Sequence, residues 1–279
     1  MSGEYRVTLK NASPLRWRAA LPLRLYLKHS PLQRGKGPLQ KLVIDLLMPR
    51  NADLDVRLPS GDVIVMSSAE RIGSFLLIRQ YFEDAELAAC ERLAVLGSTV
   101  IDVGANVGIF TMTLARLVGE KGTVIAVDPL PRNCARLRAH AKMNNHSNIL
   151  VVELAVGEKV GVVSLNPAID PAFVSIHSDS SAASSSTDIE VEMRPLDEIW
   201  HSMGSQPVSF MKVDVEGSEL GVLDGGKELL STHRPAMLIE VADNERMAAI
   251  RRRLDPYGYE PTQPPGFQPW NYIFKARKN

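Results

Sequence analysis

The sequence predicts an α/β protein whose main part is a doubly wound, mainly parallel sheet, preceded by an N-terminal extension. Three observations carry that prediction. From Gly97 onward, short apolar runs alternate with segments of helical spacing, as happens when a sheet is covered by helices on both faces. Three of those runs lead into an acid, at Asp102, Asp128 and Asp214, which places polar groups at the sheet edge where such folds bind ligands. Hydrophobic residues make up 45% and charged residues 23% of the 279-residue chain, so a core can form without disulfide staples.

The extension comes first. Residues 1–40 read as a basic arm, irregular or partly helical; from Met1 to Lys41 there are nine Lys or Arg against one acid, Glu4. Net charge over the whole chain is zero, so the remainder is acidic by eight. This excludes the overall basic surface of a sequence-independent nucleic-acid binder. Within the arm, Trp17, Leu21, Leu23, Leu25 and Tyr26 interleave with Arg16, Arg18, Arg24 and Lys28. Such a mix suits an anionic membrane surface or an acidic partner, and more simply a solvated or subunit-facing helix. Arg24 interrupts it too early for a signal peptide, and no other stretch approaches the ~20 apolar residues of a spanning helix.

Residues 41–96 read as a small subdomain. Apolar runs at 42–48 and 63–66 flank Pro59-Ser-Gly-Asp62 as a hairpin, and 83–96 has helical spacing. Residues 97–279 hold the main sheet. Its strands are expected at 100–103, 123–127, 149–153, 210–213, 236–241 and 272–275, and its helices at 108–118, 131–144, 219–230 and 245–254. Residues 160–165 and 189–193 form an added strand pair or edge. Two segments lack a pattern: 175–187, with seven serines, and the Pro-rich 261–269. Each reads as part of a substrate mouth or as plain surface loop. Cys90 and Cys134 have no metal-ligand spacing and fall in helical segments, so they read as buried reduced thiols of a cytoplasmic protein.

Three motifs carry chemistry. In Val100-Ile-Asp-Val-Gly-Ala-Asn-Val-Gly-Ile-Phe110, Asp102 ends a strand, Gly104 permits a tight turn and Gly108 opens a helix. Free loop N–H groups and the helix N-terminus are expected to face the ligand. A dinucleotide loop needs glycines at 104, 106 and 109, yet Asn106 and Ile109 stand there, leaving less room for a pyrophosphate. S-adenosylmethionine carries no phosphate, and a strand-end Asp with turn N–H and C=O groups suits its amino-acid end. Asp128, in Ala126-Val-Asp-Pro129, is placed to accept from ribose hydroxyls; the alternative is a helix-capping carboxylate ahead of Pro129. In Phe210-Met-Lys-Val-Asp-Val-Glu-Gly217, strand alternation puts Lys212, Asp214 and Glu216 on one face. Three charges at the end of an apolar strand need partners or a ligand, and a structural ion-pair cluster is the plainer alternative.

In combination, Ile101-Asp-Val-Gly-Ala-Asn-Val-Gly108, Lys212-Val-Asp-Val-Glu-Gly217 and Pro235-Ala-Met-Leu-Ile-Glu-Val241 resemble the FkbM family of S-adenosylmethionine-dependent methyltransferases. Ala155-Val-Gly157, Pro195-Leu-Asp-Glu198 and Asn271-Tyr-Ile-Phe274 extend the resemblance over about residues 75–275. It implies a class I methyltransferase (Rossmann-like) fold with a seven-stranded sheet, residues 97–279 being the domain that binds S-adenosyl-L-methionine. It further implies O-methylation of a hydroxyl on a sugar, glycan or other natural product. By position, Asp102, Gly104, Ala105, Asn106 and Gly108 would line the cofactor's methionine end. Asp128 would meet its ribose, with Pro129 and Ala155 also on the cofactor, while Lys212, Asp214 and Glu216 would face the transfer site. Two features depart from the family: the basic arm, and Asp128 where the family more often has Glu.

Methyl transfer to a hydroxyl needs collinear placement and somewhere for the proton to go. Asp214 is the expected base or orienting group, with Glu216 raising its proton affinity and Lys212 opposing that. Two carboxylates are too few to assert a divalent ion, and no metal is assigned. Among the histidines His177 is the one to test, while His140, His146, His201 and His233 read as surface or structural. Two alternatives stand beside methyl transfer: a nicotinamide-dependent oxidoreductase or epimerase, and a non-catalytic binding module.

Overall fold

The computed structural model describes residues 4–10, 22, 26, 52–166 and 188–277. The apolar run at 42–48, most of the basic arm, the Ser-rich segment and His177 lie outside the described residues. Two compact units are present, Met1–Asp84 and Ala85–Asn279, against the boundary expected at residue 96.

In the first unit an antiparallel sheet runs in the order β1 (Arg6–Lys10), β2 (Asp53–Arg57), β3 (Val63–Ser67). The Pro59–Asp62 turn joins β2 to β3, with Leu58 N donating to Asp62 O and Gly61 N to Leu58 O. The hairpin is therefore where the turn chemistry placed it, but its first strand is Asp53–Arg57. Leu54 and Val56 alternate with charged neighbours in β2 and are fully buried, the half-buried pattern of an antiparallel strand. Arg6–Lys10 is likewise a strand, where an irregular or helical arm was expected. A helix not expected from the sequence, α1 (Arg71–Arg79), follows β3.

The second unit opens with α2 (Asp84–Leu93) and then alternates regularly. The elements are β4 (Thr99–Val103), α3 (Ile109–Val118), β5 (Thr123–Val127), α4 (Pro131–Met143) and β6 (Ile149–Val152). Next come β7 (Ala155–Val156), β8 (Gly161–Leu165) and β9 (Ile189–Arg194), which make a separate three-stranded sheet in the order β7-β9-β8. Then follow α5 (Leu196–Ser202), β10 (Val208–Val213), α6 (Glu219–Gly225), α7 (Lys227–His233) and β11 (Ala236–Glu240). The chain closes with α8 (Asn244–Leu254), β12 (Tyr259–Thr262) and β13 (Asn271–Ala276).

The main sheet has seven strands in the order β12-β13-β11-β10-β4-β5-β6. All neighbours pair in parallel except those of β13, which runs antiparallel to both β11 and β12. This is the class I methyltransferase sheet that the sequence led us to expect. Chain order runs outward from β4 through β5 to β6 in one direction and from β10 to β11 in the other, with β13 inserted before β12 at that edge, so the topological switch lies between β4 and β10. Ligands bind at the carboxyl ends beside such a switch.

The core explains why the strands read so clearly. Ile101, Val103, Ile125, Val127, Met211, Val213, Met237 and Ile239 pack in one cluster with Phe274 and Trp200. Buried on both faces, these strands are apolar apart from Asp102 and Lys212 near the ends of β4 and β10 and a few neutral or terminal polar residues. Two expectations fail for local reasons. The helix expected over 219–230 is two helices, broken at Gly225-Gly226, where a Cβ on Gly225 would drive into the carbonyl of Gly157. The Pro-rich segment begins inside a strand, since Pro261 sits on the edge strand β12, where a residue without an N–H is tolerated. Among the described residues no helix is long and apolar enough to cross a membrane.

Candidate active site

The loop after β4 approaches the end of β10 closely. Asp214 N donates to Val103 O at 3.1 Å, and a Cβ on Gly104 would collide with the Asp214 carbonyl. Gly104, Asn106 and Gly108 all have positive φ (81°, 51° and 92°), so the turn is a run of left-handed conformations that glycine permits and Asn tolerates. Four of its five amides are engaged within the protein, contrary to expectation. Gly104 N and Ala105 N both donate to Val127 O (2.9 and 3.1 Å), and Gly108 N donates to Ala105 O at 2.9 Å. Asn106 N donates to Asp128 Oδ2 at 2.8 Å. Four donors that a phosphate loop would aim at its anion are spent inside the protein, in keeping with a ligand that has no phosphate.

Asp102 is fully buried at the end of β4. Its Oδ2 accepts from Thr111 Oγ1 at 2.6 Å, while Oδ1 has no hydrogen-bond partner among the described residues. Burial pushes this carboxyl above the usual carboxylate range, against the pull of Lys212 and the Thr111 hydrogen bond. Asp102 and Lys212 are register partners on β4 and β10, so their side chains leave the same face. Lys212, only 5% exposed, donates to Asp214 Oδ2 at 2.8 Å and lies 4.8 Å from the centroid of Phe110, as a cation over a ring.

The sequence suggested strand alternation as far as Glu216, but the strand stops short of it. β10 ends at Val213, and Glu216 has φ 48°, so a turn rather than a pleat carries the last two acids. That turn nevertheless brings them together and adds a third. Asp214, Glu216 and Glu240, all half-buried, each offer an oxygen within 4.8 Å of the others. Glu240 ends β11, next to β10 in the sheet. Burial, a hydrogen bond with Asp214, and the charges of Asp214 and Glu216 push its carboxyl up to about 10, with Lys212 opposing. It is therefore protonated at neutral pH and shares its proton with Asp214. Three oxygens this close would also suit a hard cation.

Glu240 is the residue that sequence reasoning missed. The signal was present: an acid closing an apolar parallel strand, as at Asp102 and Asp214. It was absorbed into a core-strand reading. The other expected positions are scattered around the cofactor loop. Ala105 is buried against Ala126 and Leu137, and Ala155 is buried beside Leu130, Val163 and Val191, so its side chain is packed inward. Asp128 is 4% exposed and Pro129 follows it out of β5. His140 is buried, with Nδ1 2.9 Å from Val107 O. His201 lies between Ser205 and Glu228, and His233 stacks edge-on against Trp200; both are structural. Cys90 and Cys134 are both buried and form no disulfide.

Comparison with known proteins matches residues 102–261 to the methyltransferase FkbM domain. A curated relative, the 31-O-demethyl-FK506 methyltransferase FkbM of Streptomyces tacrolimicus, is 27% identical over 197 residues, covering 61% of this chain and 74% of its own length. Methyltransferase 1 of Beauveria bassiana is 24% identical over 148 residues, covering 46% of this chain and 58% of its own. Among solved structures, a methyltransferase FkbM from Methylobacillus flagellatus aligns with TM-score 0.45 and 17% identity, over 92% of this chain. This chain spans 59% of the length of that one.

Proposed function

This chain belongs to the FkbM methyltransferase family, and on that premise we propose that it transfers a methyl group from S-adenosyl-L-methionine to a hydroxyl of a sugar, glycan or other natural product. The observation that carries the hydroxyl reading is the convergence of Asp214, Glu216 and Glu240 within 4.8 Å at the sheet's switch point, beside the Gly104 turn.

The residues present fit the cofactor. The turn is held against β10 by the absence of a Cβ at Gly104, four of its amides are engaged within the protein, and Asp102 presents a buried, unpartnered oxygen. Around it three acids, Asp102, Asp214 and Glu216, stand against Lys212 with the protonated Glu240 beside them, an excess of acidic over basic groups suited to a cationic ligand. Bound there, S-adenosylmethionine supplies an electrophilic methyl on a sulfonium.

The chain's own residues do the rest. Lys212 fixes Asp214, and the protonated Glu240 donates to it, so the Asp214 carboxylate is preset in orientation. An acceptor hydroxyl would donate to this cluster, which would take its proton while the oxygen gained the methyl group and the sulfur–methyl bond of the sulfonium broke, releasing the neutral thioether S-adenosylhomocysteine. The set titrates as a unit, so the proton sink is the Asp214–Glu240 pair under the charge of Glu216. Holding the oxygen in line matters as much as proton removal.

Calorimetric titration with S-adenosylhomocysteine, then with NAD, tests the cofactor. Binding of the first alone supports methyl transfer; binding of NAD alone would favour an oxidoreductase, and of neither a binding module. Incubation with labelled cofactor and a panel of glycans, lipids and polyols, with and without EDTA, tests the acceptor class and any need for a divalent ion. We propose, further, that the basic arm meets an anionic membrane surface or an acidic protein.

A further inference from the structure

Asp128 sits where a ribose-gripping acid is expected, at the end of β5, but its side chain is turned inward. Oδ2 accepts from Asn106 N at 2.8 Å. Oδ1 accepts from Leu130 N at 2.9 Å and from Asn133 Nδ2 at 3.1 Å. Only 4% of the residue is exposed. Its backbone carbonyl is also engaged, accepting from Cys134 Sγ at 3.1 Å. The Leu130 contact closes a tight turn around Pro129, of the kind a short Asx side chain makes with the amide two residues on. Leu130 is itself anchored in the apolar cluster of Ala155, Val163 and Val191.

The Asn106 contact is of another kind. It crosses 22 residues of sequence and joins the β4–α3 loop to the β5–α4 loop. Asn106 stands at φ 51°, a conformation that costs a non-glycine residue free energy and persists only when its surroundings over-determine it. A charge-assisted hydrogen bond from its amide is such a determinant. We propose that Asp128 is a positioning residue that staples Asn106 and so holds the cofactor loop in shape, leaving the ribose hydroxyls to other groups. The inference rests on the adenosyl-cofactor reading for its consequence in binding, but the staple exists in the free protein and is tested there first.

Asp128→Asn discriminates well. The amide keeps one oxygen for Leu130 N and turns an N–H₂ group toward Asn106 N, which then has no acceptor. In ligand-free protein, the amide resonance of Asn106 should move upfield and its hydrogen exchange should quicken at least tenfold, while core amides such as Ile125 stay protected. An unchanged Asn106 amide would overturn the staple whatever the ligand does. The second measurement is a thermodynamic cycle on binding, with S-adenosylhomocysteine and its 2′-deoxy analogue against wild type and Asp128→Asn. A staple weakens both ligands by the same factor, on the order of tenfold, so the cycle shows no coupling beyond about twofold. A ribose contact would make the variant's loss at least tenfold larger for the ligand that has the 2′-hydroxyl, which overturns the proposal. If neither ligand binds wild type, the adenosyl-cofactor reading fails while the exchange result still decides the staple.

Discussion

At the ends of β4 and β5 the sheet edge is made of backbone, and at the ends of β10 and β11 it is made of charge. The first region closes its own hydrogen bonds: Gly104, Ala105, Asn106 and Gly108 all donate within the protein, and its shape depends on glycine at a place where no Cβ fits. The second leaves three carboxylates around one lysine, with a proton trapped between Glu240 and Asp214. Backbone turns are stiff and resist alteration, whereas a cluster of like charges is strained electrostatically and responds to pH and to ligand. The two meet where the Asp214 carbonyl lies against Gly104, so the rigid turn proposed to seat the cofactor lies directly against the titratable cluster proposed as the reaction site.

The sharpest way to break the contrast is at that contact. Gly104→Ala places a methyl group into the Asp214 carbonyl at a positive φ, and overpacking with backbone strain should cost about 3 kcal/mol or more. Both S-adenosylhomocysteine binding and folding should suffer, as read by calorimetry and thermal denaturation; a variant that binds normally would show the seat to be soft.

Next comes Asp214→Asn, which should lower turnover by roughly 10²–10⁴, the range for a lost general base. Binding of S-adenosylhomocysteine should stay within a few-fold of wild type. Equal losses in binding and turnover would mean the two regions are not separable.

Glu240→Gln addresses the charge itself. Its carboxyl is raised from 4.5 to about 10 in the folded protein, so its contribution to stability is full below about pH 4.5 and is lost as pH rises toward 10. Glutamine keeps a donor for Asp214 and cannot ionise. The variant should therefore melt close to wild type at pH 5 and higher than wild type at pH 9, by roughly 2–4 °C for each kcal/mol gained. Turnover should fall, because the shared proton is gone. A melting difference that shrinks with rising pH would contradict the assignment.

The smallest effect is expected at Thr111→Val. It removes the 2.6 Å bond to Asp102 Oδ2 but keeps the Thr111 backbone bond to that carboxyl, at a cost of about 1 kcal/mol. Chemical denaturation measures it, and a neutral result would imply that Asp102 finds another donor.

How much of this was legible follows the same division. The strands of the main sheet were readable because burial on both faces makes them mostly apolar runs, as at Val124–Val127 and Ala236–Ile239. The hairpin turn at Pro59–Asp62 was readable because its turn residues have fixed preferences. Its partner strand was not, since Leu54 and Val56 alternate with charges that read as loop. The break at Gly225-Gly226 depends on the passing of Gly157, a neighbour far away in sequence. Glu216 was placed on a pleat by counting, though the chain had already turned.

The sequence by itself determined the fold class, the family, and the glycine turn with its leading acid, because each is local: periodicity and glycine spacing act within about ten residues. The tertiary structure alone decided which acids meet. Glu240 joins Asp214 only because β11 pairs beside β10, and Asp128 reaches Asn106 only because β5 pairs beside β4. Those couplings run between strands, and charge interactions depend on distance through space and on burial, neither of which the order of residues along the chain records.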